Sequence, residues 1–156
     1  IVFGDWSSDV CSSDLAGNAS AYTLAQIGFD ETDPGNPGTV TLSVDADGRN
    51  ATLSWNAVAD AFSGTRLYSL NLSDGTSSCD YNVYANASGV IYSSSPALQG
   101  AACPFLALLT YNSNTTQNIL NLRVNLDLTL DVSITAVDRA GNSSSASTAS
   151  AVFTGL

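Results

Sequence analysis

Histidine and lysine are both missing from the 156 residues, and four arginines stand against fourteen acids, for a formal net charge of −10. Without histidine, neither a Ser-His-Asp nor a Cys-His catalytic arrangement can form, and a His-ligated zinc is excluded as well. A surface so poor in cations cannot neutralise phosphates, which argues against nucleic acid and against anionic membranes as partners. No apolar run approaches the roughly 20 residues that a spanning helix needs, so no membrane insertion is expected. No Gly-rich phosphate loop occurs. Capped amphipathic segments of helix length are also lacking, which leaves no α/β alternative to an all-β chain.

Cysteine is scarce and odd in number, with three residues. The oddness has a source at the front. Asp5–Leu15, DWSSDVCSSDL, matches at all eleven positions the translation of a common short-read sequencing adaptor. Residues 1–15 are therefore set aside from fold reasoning, as a tag or fusion scar would be. Removing Asp5, Asp9 and Asp14 brings the net charge to −7, and removing Cys11 leaves the single pair Cys79 and Cys103. With foreign residues at the front, the lack of a visible signal peptide carries no information.

What is present is alternation. In Leu130–Ser144, LDVSITAVDRAGNSS, the residues Leu130, Val132, Ile134 and Ala136 fall on one side and Asp131, Ser133 and Thr135 on the other. That is the period of a half-buried strand, ended by a run of turn formers. This ending resembles the last-but-one strand and loop of a fibronectin type III domain. The resemblance implies an antiparallel β-sandwich of the fibronectin type III or immunoglobulin-like kind, with about seven strands, over Pro37–Gly155. Thr39–Val44 alternates as the first strand, and Asp45-Ala46-Asp47-Gly48 makes a turn. Asn50–Trp55 follows with Ala51, Leu53 and Trp55 on one face, and Trp55 resembles the family's core tryptophan. Asp80–Ala85 resembles the third strand, with Tyr81, Val83 and Ala85 inward; Gly89–Ser94 reads as a short neighbouring strand, and Ile119–Val124 and Ala149–Phe153 as two more. Leu53, Trp55, Tyr81, Val83, Val132, Ile134 and Ala136 are the expected core. Two stretches exceed the family's usual length, about 60–78 and 99–114, and are read as insertions. The family's proline and tyrosine near the last-but-one strand are replaced by Leu126 and Leu130, which removes the hydrogen bond of a tyrosine corner.

Ala16–Phe29 aligns without gaps with Ala140–Phe153, at an offset of 124 residues. Both begin Ala-Gly-Asn, carry serine at the fifth position and end in phenylalanine. Repetition at fixed spacing is the mark of an array. Residues 16–29 are read as the last strand of a preceding repeat, 30–38 (DETDPGNPG) as a solvated linker, and 39–156 as the domain.

Candidate chemistry is thin. The pairs Asp127/Asp131 and Asp45/Asp47 could in principle serve a glycosidase, but a strand and a hairpin turn carry them, and solvated surface acids are the simpler reading. Asp45-x-Asp47-Gly48-x-Asn50 looks like a calcium loop, yet the fifth and twelfth positions are Arg49 and Asn56, so it fails. No cofactor and no metal site are assigned; Asp30, Glu31 and Asp33 cluster in the linker, where carboxylates can share calcium or simply stay solvated. Six Asn-x-Ser/Thr sequons occur, at Asn18, Asn50, Asn71, Asn86, Asn114 and Asn142. Cys79 and Cys103 are expected to form a disulfide, with two buried thiols as the alternative. Tyr84 and Tyr92 are expected to face outward together, either as a cross-strand pair that steadies the sheet or as a ligand-binding face, with Tyr68 and Tyr111 able to cover it.

These features point to a non-catalytic extracellular module, secreted or at the cell surface. Its expected partners are neighbouring repeats of the same chain and protein or glycan ligands. The other reading is an accessory domain of a secreted polysaccharide-degrading enzyme. If residues 1–15 are foreign, cutting before Ala16 leaves the melting temperature within about a degree. A loss of several degrees in a thermal scan would show the segment to be native.

Overall fold

Period-two alternation recurs along the chain, and in the computed structural model each instance becomes a strand. The structure describes residues 29–92, 98–100, 103–113 and 116–154; the adaptor-like segment and the repeat read at 16–28 lie outside them. The strands are β1 (Thr41–Val44), β2 (Asn50–Asn56), β3 (Thr65–Ser73), β4 (Ser78–Tyr84), β5 (Leu98–Gly100), β6 (Leu106–Ser113), β7 (Gln117–Val124), β8 (Leu128–Asp138) and β9 (Ser147–Phe153). They form two antiparallel sheets, ordered β1-β2-β7-β6 and β5-β4-β3-β8-β9. The protein is an all-β sandwich. Its strand order is that of the nine-stranded immunoglobulin arrangement, with β1, β2, β7 and β6 opposed to a sheet widened by two outer strands.

Three expectations about the strands change. The stretch read as an insertion at 60–78 contains β3, which lies between β4 and β8 in the middle of the larger sheet. From Tyr68 onward β3 alternates, with Tyr68, Leu70 and Leu72 buried and Ser69, Asn71 and Ser73 less so. Before it, the register shifts between Thr65 and Leu67, and the consecutive Leu67 and Tyr68 are both buried, on opposite faces, so the bulge and this pair together hide the phase of the alternation. The stretch 99–114 likewise contains β6, which gives the smaller sheet its fourth strand. The expected strand at 89–94 is instead a turn closed by one isolated bridge, Ala85↔Ile91, with residues 93 and 94 outside the described part. With that strand lost and β3, β5 and β6 gained, the expected seven strands become nine among the described residues.

The inward faces meet in one core. Leu53 and Trp55 of β2 and Leu120 and Leu122 of β7 pack against Leu70, Leu72, Val83, Leu130, Val132, Ile134 and Ala136 of the larger sheet. Of the expected core residues all are buried except Tyr81, which is half-buried and packs against the cluster. Leu130 is fully buried. Trp55 meets the Tyr68 ring edge-on, with centroids 5.2 Å apart at 74°, the geometry that the aromatic quadrupoles favour.

Tyr68 also carries the polar centre of the interior. Its hydroxyl accepts the Val58 N–H at 2.9 Å and donates to the Gly89 carbonyl at 2.7 Å. The Asn118 amide nitrogen donates to the same carbonyl at 2.8 Å, and its oxygen accepts the Ile91 N–H at 2.9 Å. The Thr65 hydroxyl donates to the Val58 carbonyl. Gly89 has φ 78°, and a Cβ there would stand 2.0 Å from the Val58 oxygen, so no side chain fits. Burial pushes the Tyr68 hydroxyl above its ordinary pKa, so it remains a donor.

Cys79, at the start of β4, and Cys103, just before β6, are joined in a disulfide with Cα atoms 5.6 Å apart. Cys103 lies in the connection from β5 of the larger sheet to β6 of the smaller one, so the bridge ties the start of that crossing to β4. Closing 24 residues of sequence stabilises by about 3 kcal/mol in the chain-entropy account.

The sandwich has two ends, which we term poles. The proximal pole carries the β2–β3 connection and the β8–β9 loop, joined where Thr65 pairs with Asp138. At the distal pole lies the β1–β2 turn, where Thr154 donates its N–H to the Gly48 carbonyl at 3.1 Å. This turn is the expected Asp-Gly hairpin: Asp47 accepts the Arg49 and Asn50 N–H groups, each at 3.0 Å. Gly48 has φ 71° and meets the Thr154 backbone too closely for any Cβ.

Trp55→Ala is expected to cost about 3–5 kcal/mol, as a large-to-small change in the core. Urea unfolding measures it; a loss under about 1 kcal/mol would place Trp55 outside the core and overturn the register of β2.

Candidate functional site

Two surfaces merit attention, and the first is the tyrosine pair. The Ala85↔Ile91 bridge sets Tyr84 opposite Tyr92, and the Tyr92 N–H donates to the Tyr84 carbonyl at 3.1 Å. On its other side Tyr84 is register partner to Leu67, and Leu67 to Val137. Four strand-like segments thus contribute one apolar row across the outer face of the larger sheet. Leu67 is buried although it stands outside the core cluster, Tyr84 and Val137 are half-buried, and Tyr92 is 43% exposed. The row explains the pair physically: cross-strand neighbours of this kind cover one another and steady the sheet. Neither expected cover is present, because Tyr68 lies in the core and Tyr111 packs half-buried against it from β6.

The second surface is the proximal pole, where three carboxylates converge. Asp30, Asp60 and Asp138 bring oxygens to within 4.8 Å of one another, and Asp138 is wholly buried. Each acid is held by a local turn. Asp60 accepts the N–H groups of Phe62 at 3.1 Å, Ser63 at 2.8 Å and Gly64 at 3.0 Å. Asp138 accepts those of Gly141 at 2.6 Å and Asn142 at 2.8 Å. Asp30 accepts the Thr32 N–H at 2.9 Å and reaches across to the Ser63 N–H at 3.1 Å. Asn142 ties the group together: its amide nitrogen donates to Asp138 at 2.8 Å and to the Asp30 carbonyl at 2.9 Å.

The charges are held in place by these donors. Burial works against a charge on Asp60, yet the Gly64, Phe62 and Ser63 N–H groups outweigh it and keep the carboxyl below its ordinary pKa. Burial opposes the charge on Asp138 too, and the Asn142 side chain with the Asn142 and Gly141 N–H groups overcomes it. Three carboxylates so arranged are hard oxygen donors of the type that calcium or magnesium takes, and they would supply part of the six to eight oxygens of a calcium shell. Of the linker acids expected to gather, only Asp30 takes part; Glu31 and Asp33 are exposed. The linker is not simply solvated. Pro34 and Pro37 are buried, and Asn36 donates to the Ser145 hydroxyl at 3.1 Å while accepting from Ser147 at 2.8 Å. Asp60-Ala-Phe-Ser-Gly and Asp138-Arg-Ala-Gly-Asn share an aspartate with glycine three or four residues on, and in each the carboxylate accepts the N–H groups three and four residues later, which is the sequence signal for the cluster.

Beside the carboxylates runs a groove lined by Phe29, Asp30, Glu31, Thr32, Phe62 and Ser63. Its two phenylalanines are 88% and 76% exposed.

No family model, curated protein or solved structure matches this chain.

The depressed carboxyls give the fold an acid limit. Asp47, Asp60, Asp74 and Asp138 all have folded-state pKa values below the 3.8 of the free group. Their contribution is present above that value and is lost as pH falls through the folded values. The melting temperature is therefore expected to hold between pH 7 and about 5 and to fall below about pH 4. Asp138→Asn is expected to lower it at neutral pH while reducing the acid dependence. Unchanged acid dependence in that variant would remove Asp138 from this account.

Proposed function

We propose that this chain is a non-catalytic structural module, one unit of a tandem array on a secreted or surface-attached protein, similar to a fibronectin type III repeat. The observation that carries the proposal is the path of the backbone. The chain reaches β1 past the proximal pole, where Asp30 is hydrogen-bonded to the domain, and leaves β9 at the distal pole beside Gly48. Between the poles runs β8, eleven residues long, or about 36 Å. A unit entered at one end and left at the other sets its neighbours in line, which is what a spacer does. The Cys79–Cys103 disulfide suits an oxidising, extracellular compartment. Among the described residues no helix is long and apolar enough to cross a membrane.

A second reading, an accessory domain that holds a glycan or protein ligand for a neighbouring enzyme, draws on the exposed Tyr92 beside Tyr84. A Tyr84→Ala/Tyr92→Ala double variant separates the two. The structural reading expects no change on a glycan array or in a partner pull-down, together with a stability loss of about 0.2–1 kcal/mol per cross-strand contact. Loss of a bound glycan or partner at unchanged stability would establish the second reading. The open reading frame around this segment tests the array directly: further units of similar length are expected, and a catalytic domain next door would favour the accessory role.

A further inference from the structure

We propose that a preceding unit of this same fold seats on the Phe29–Phe62 face of the proximal pole, so that the junction is a packed joint and not a loose tether. The inference rests on the array reading above and names the partner of its proximal end.

Phe29 and Phe153 occupy the same place in the sequence repeat, 124 residues apart. Phe153 ends β9 and is buried in the core at 1% exposure. Phe29 is 88% exposed. A residue that closes a core in one copy and stands in solvent in the other lacks the body it was built to close. On the array reading that body is the preceding unit, and its distal pole must then lie against the residues that follow Phe29.

Those residues are not free to swing. Asp30 is bonded to Ser63 and Asn142, Thr32 to Asn142, and Asn36 to Ser145 and Ser147. The point at which the chain leaves the preceding unit is therefore fixed against this one. At that point stands Phe62, 76% exposed on the β2–β3 connection and lining the same groove as Phe29. Its neighbours Asp60, Ser63 and Gly64 are tied by hydrogen bonds, so the ring is presented from a rigid loop. A large apolar side chain held out in this way costs solubility unless something covers it. A unit's own distal pole offers the matching apolar residue: Leu126, in the β7–β8 turn, is 50% exposed.

The test is the full chain with residues 30–153 duplicated in tandem, that is, 1–153 followed by 30–156. The repeated segment is 124 residues long, so Phe153 of the upstream copy falls where Phe29 stands. Phe62→Ser in the downstream copy is expected to lower the first thermal transition by about 3 °C or more. The same substitution in the upstream copy, or in the 156-residue chain, is expected to shift it by less than about a degree. Equal effects in the two copies would overturn the joint. So would a comparable loss in the 156-residue chain, which would put residues 16–28 on the face, or concentration-dependent self-association abolished by Phe62→Ser, which would put a separate copy there. X-ray scattering on the tandem chain keeps the two ideas apart. A maximum dimension near twice that of one unit supports the array whatever Phe62 does, whereas a folded-back particle would defeat both.

Discussion

A single buried hydroxyl holds together parts of the chain that strand pairing leaves separate. Tyr68 stands on the middle strand of the larger sheet, its ring against Trp55 of the opposite sheet and its oxygen between Val58 and Gly89. The β2–β3 connection crosses between sheets, and the turn after β4 is joined to the strands by an isolated bridge, Ala85↔Ile91, and a few backbone bonds outside the ladders. Both are fixed because their backbone groups find partners on Tyr68 and Asn118, away from water, where an unmet donor or acceptor would cost about 1–3 kcal/mol. Gly89 makes the arrangement possible by lying flat against Val58, where any side chain would collide. The Asp60 loop is a continuation of that same connection, so the proximal pole takes its shape from an interaction in the core.

Much of this was legible in the sequence, and the parts that were not have physical causes. β2, β7, β8 and β9 were readable because they alternate cleanly and end in turn formers. Leu53, Trp55, Val132 and Ile134 could be assigned to the core from that alone. β3 was lost at a bulge: Leu67 and Tyr68 are consecutive and both buried, which breaks the period at the place where the strand begins. Length reasoning from the family then turned a central strand into an insertion. β6 was illegible for a different reason, since a run as apolar as Cys-Pro-Phe-Leu-Ala-Leu-Leu has no polar phase to read. The tyrosine-corner bond is missing at Leu130, but a tyrosine does tie backbone to core here, on β3 and at the other pole.

The carboxylate cluster is the clearest case of a site built by topology. Asp30, Asp60 and Asp138 are far apart in sequence, and only the pairing of Thr65 with Asp138, together with the docked linker, brings them to one place. Asp138 was visible at the head of a run of turn formers, but Asp30 was read as a linker acid and Asp60 as the start of an insertion, and nothing in the spacing told that they share a pole. The same cluster shows why the linker acids are unequal. Asp30 is drawn in by Ser63 and Asn142, while Glu31 and Asp33, one and three residues on, point to solvent.

The placement of the disulfide has a mechanical consequence. A unit held at its proximal and distal poles, and pulled along its length, loads β1 against β2 and β9 against β8 in shear, with the hydrogen bonds of each pair resisting together. β1, with four paired residues, yields before β9, which has seven. Once the sheets part, the chain lengthens only as far as its covalent links allow. The span from Cys79 to Cys103, 24 residues in sequence, stays closed, which withholds about 80 Å of extension at roughly 3.4 Å per residue. Under tension the bridge acts as a stop, and an overstretched unit keeps a looped remnant in which β4 and β5 of the larger sheet stay close together.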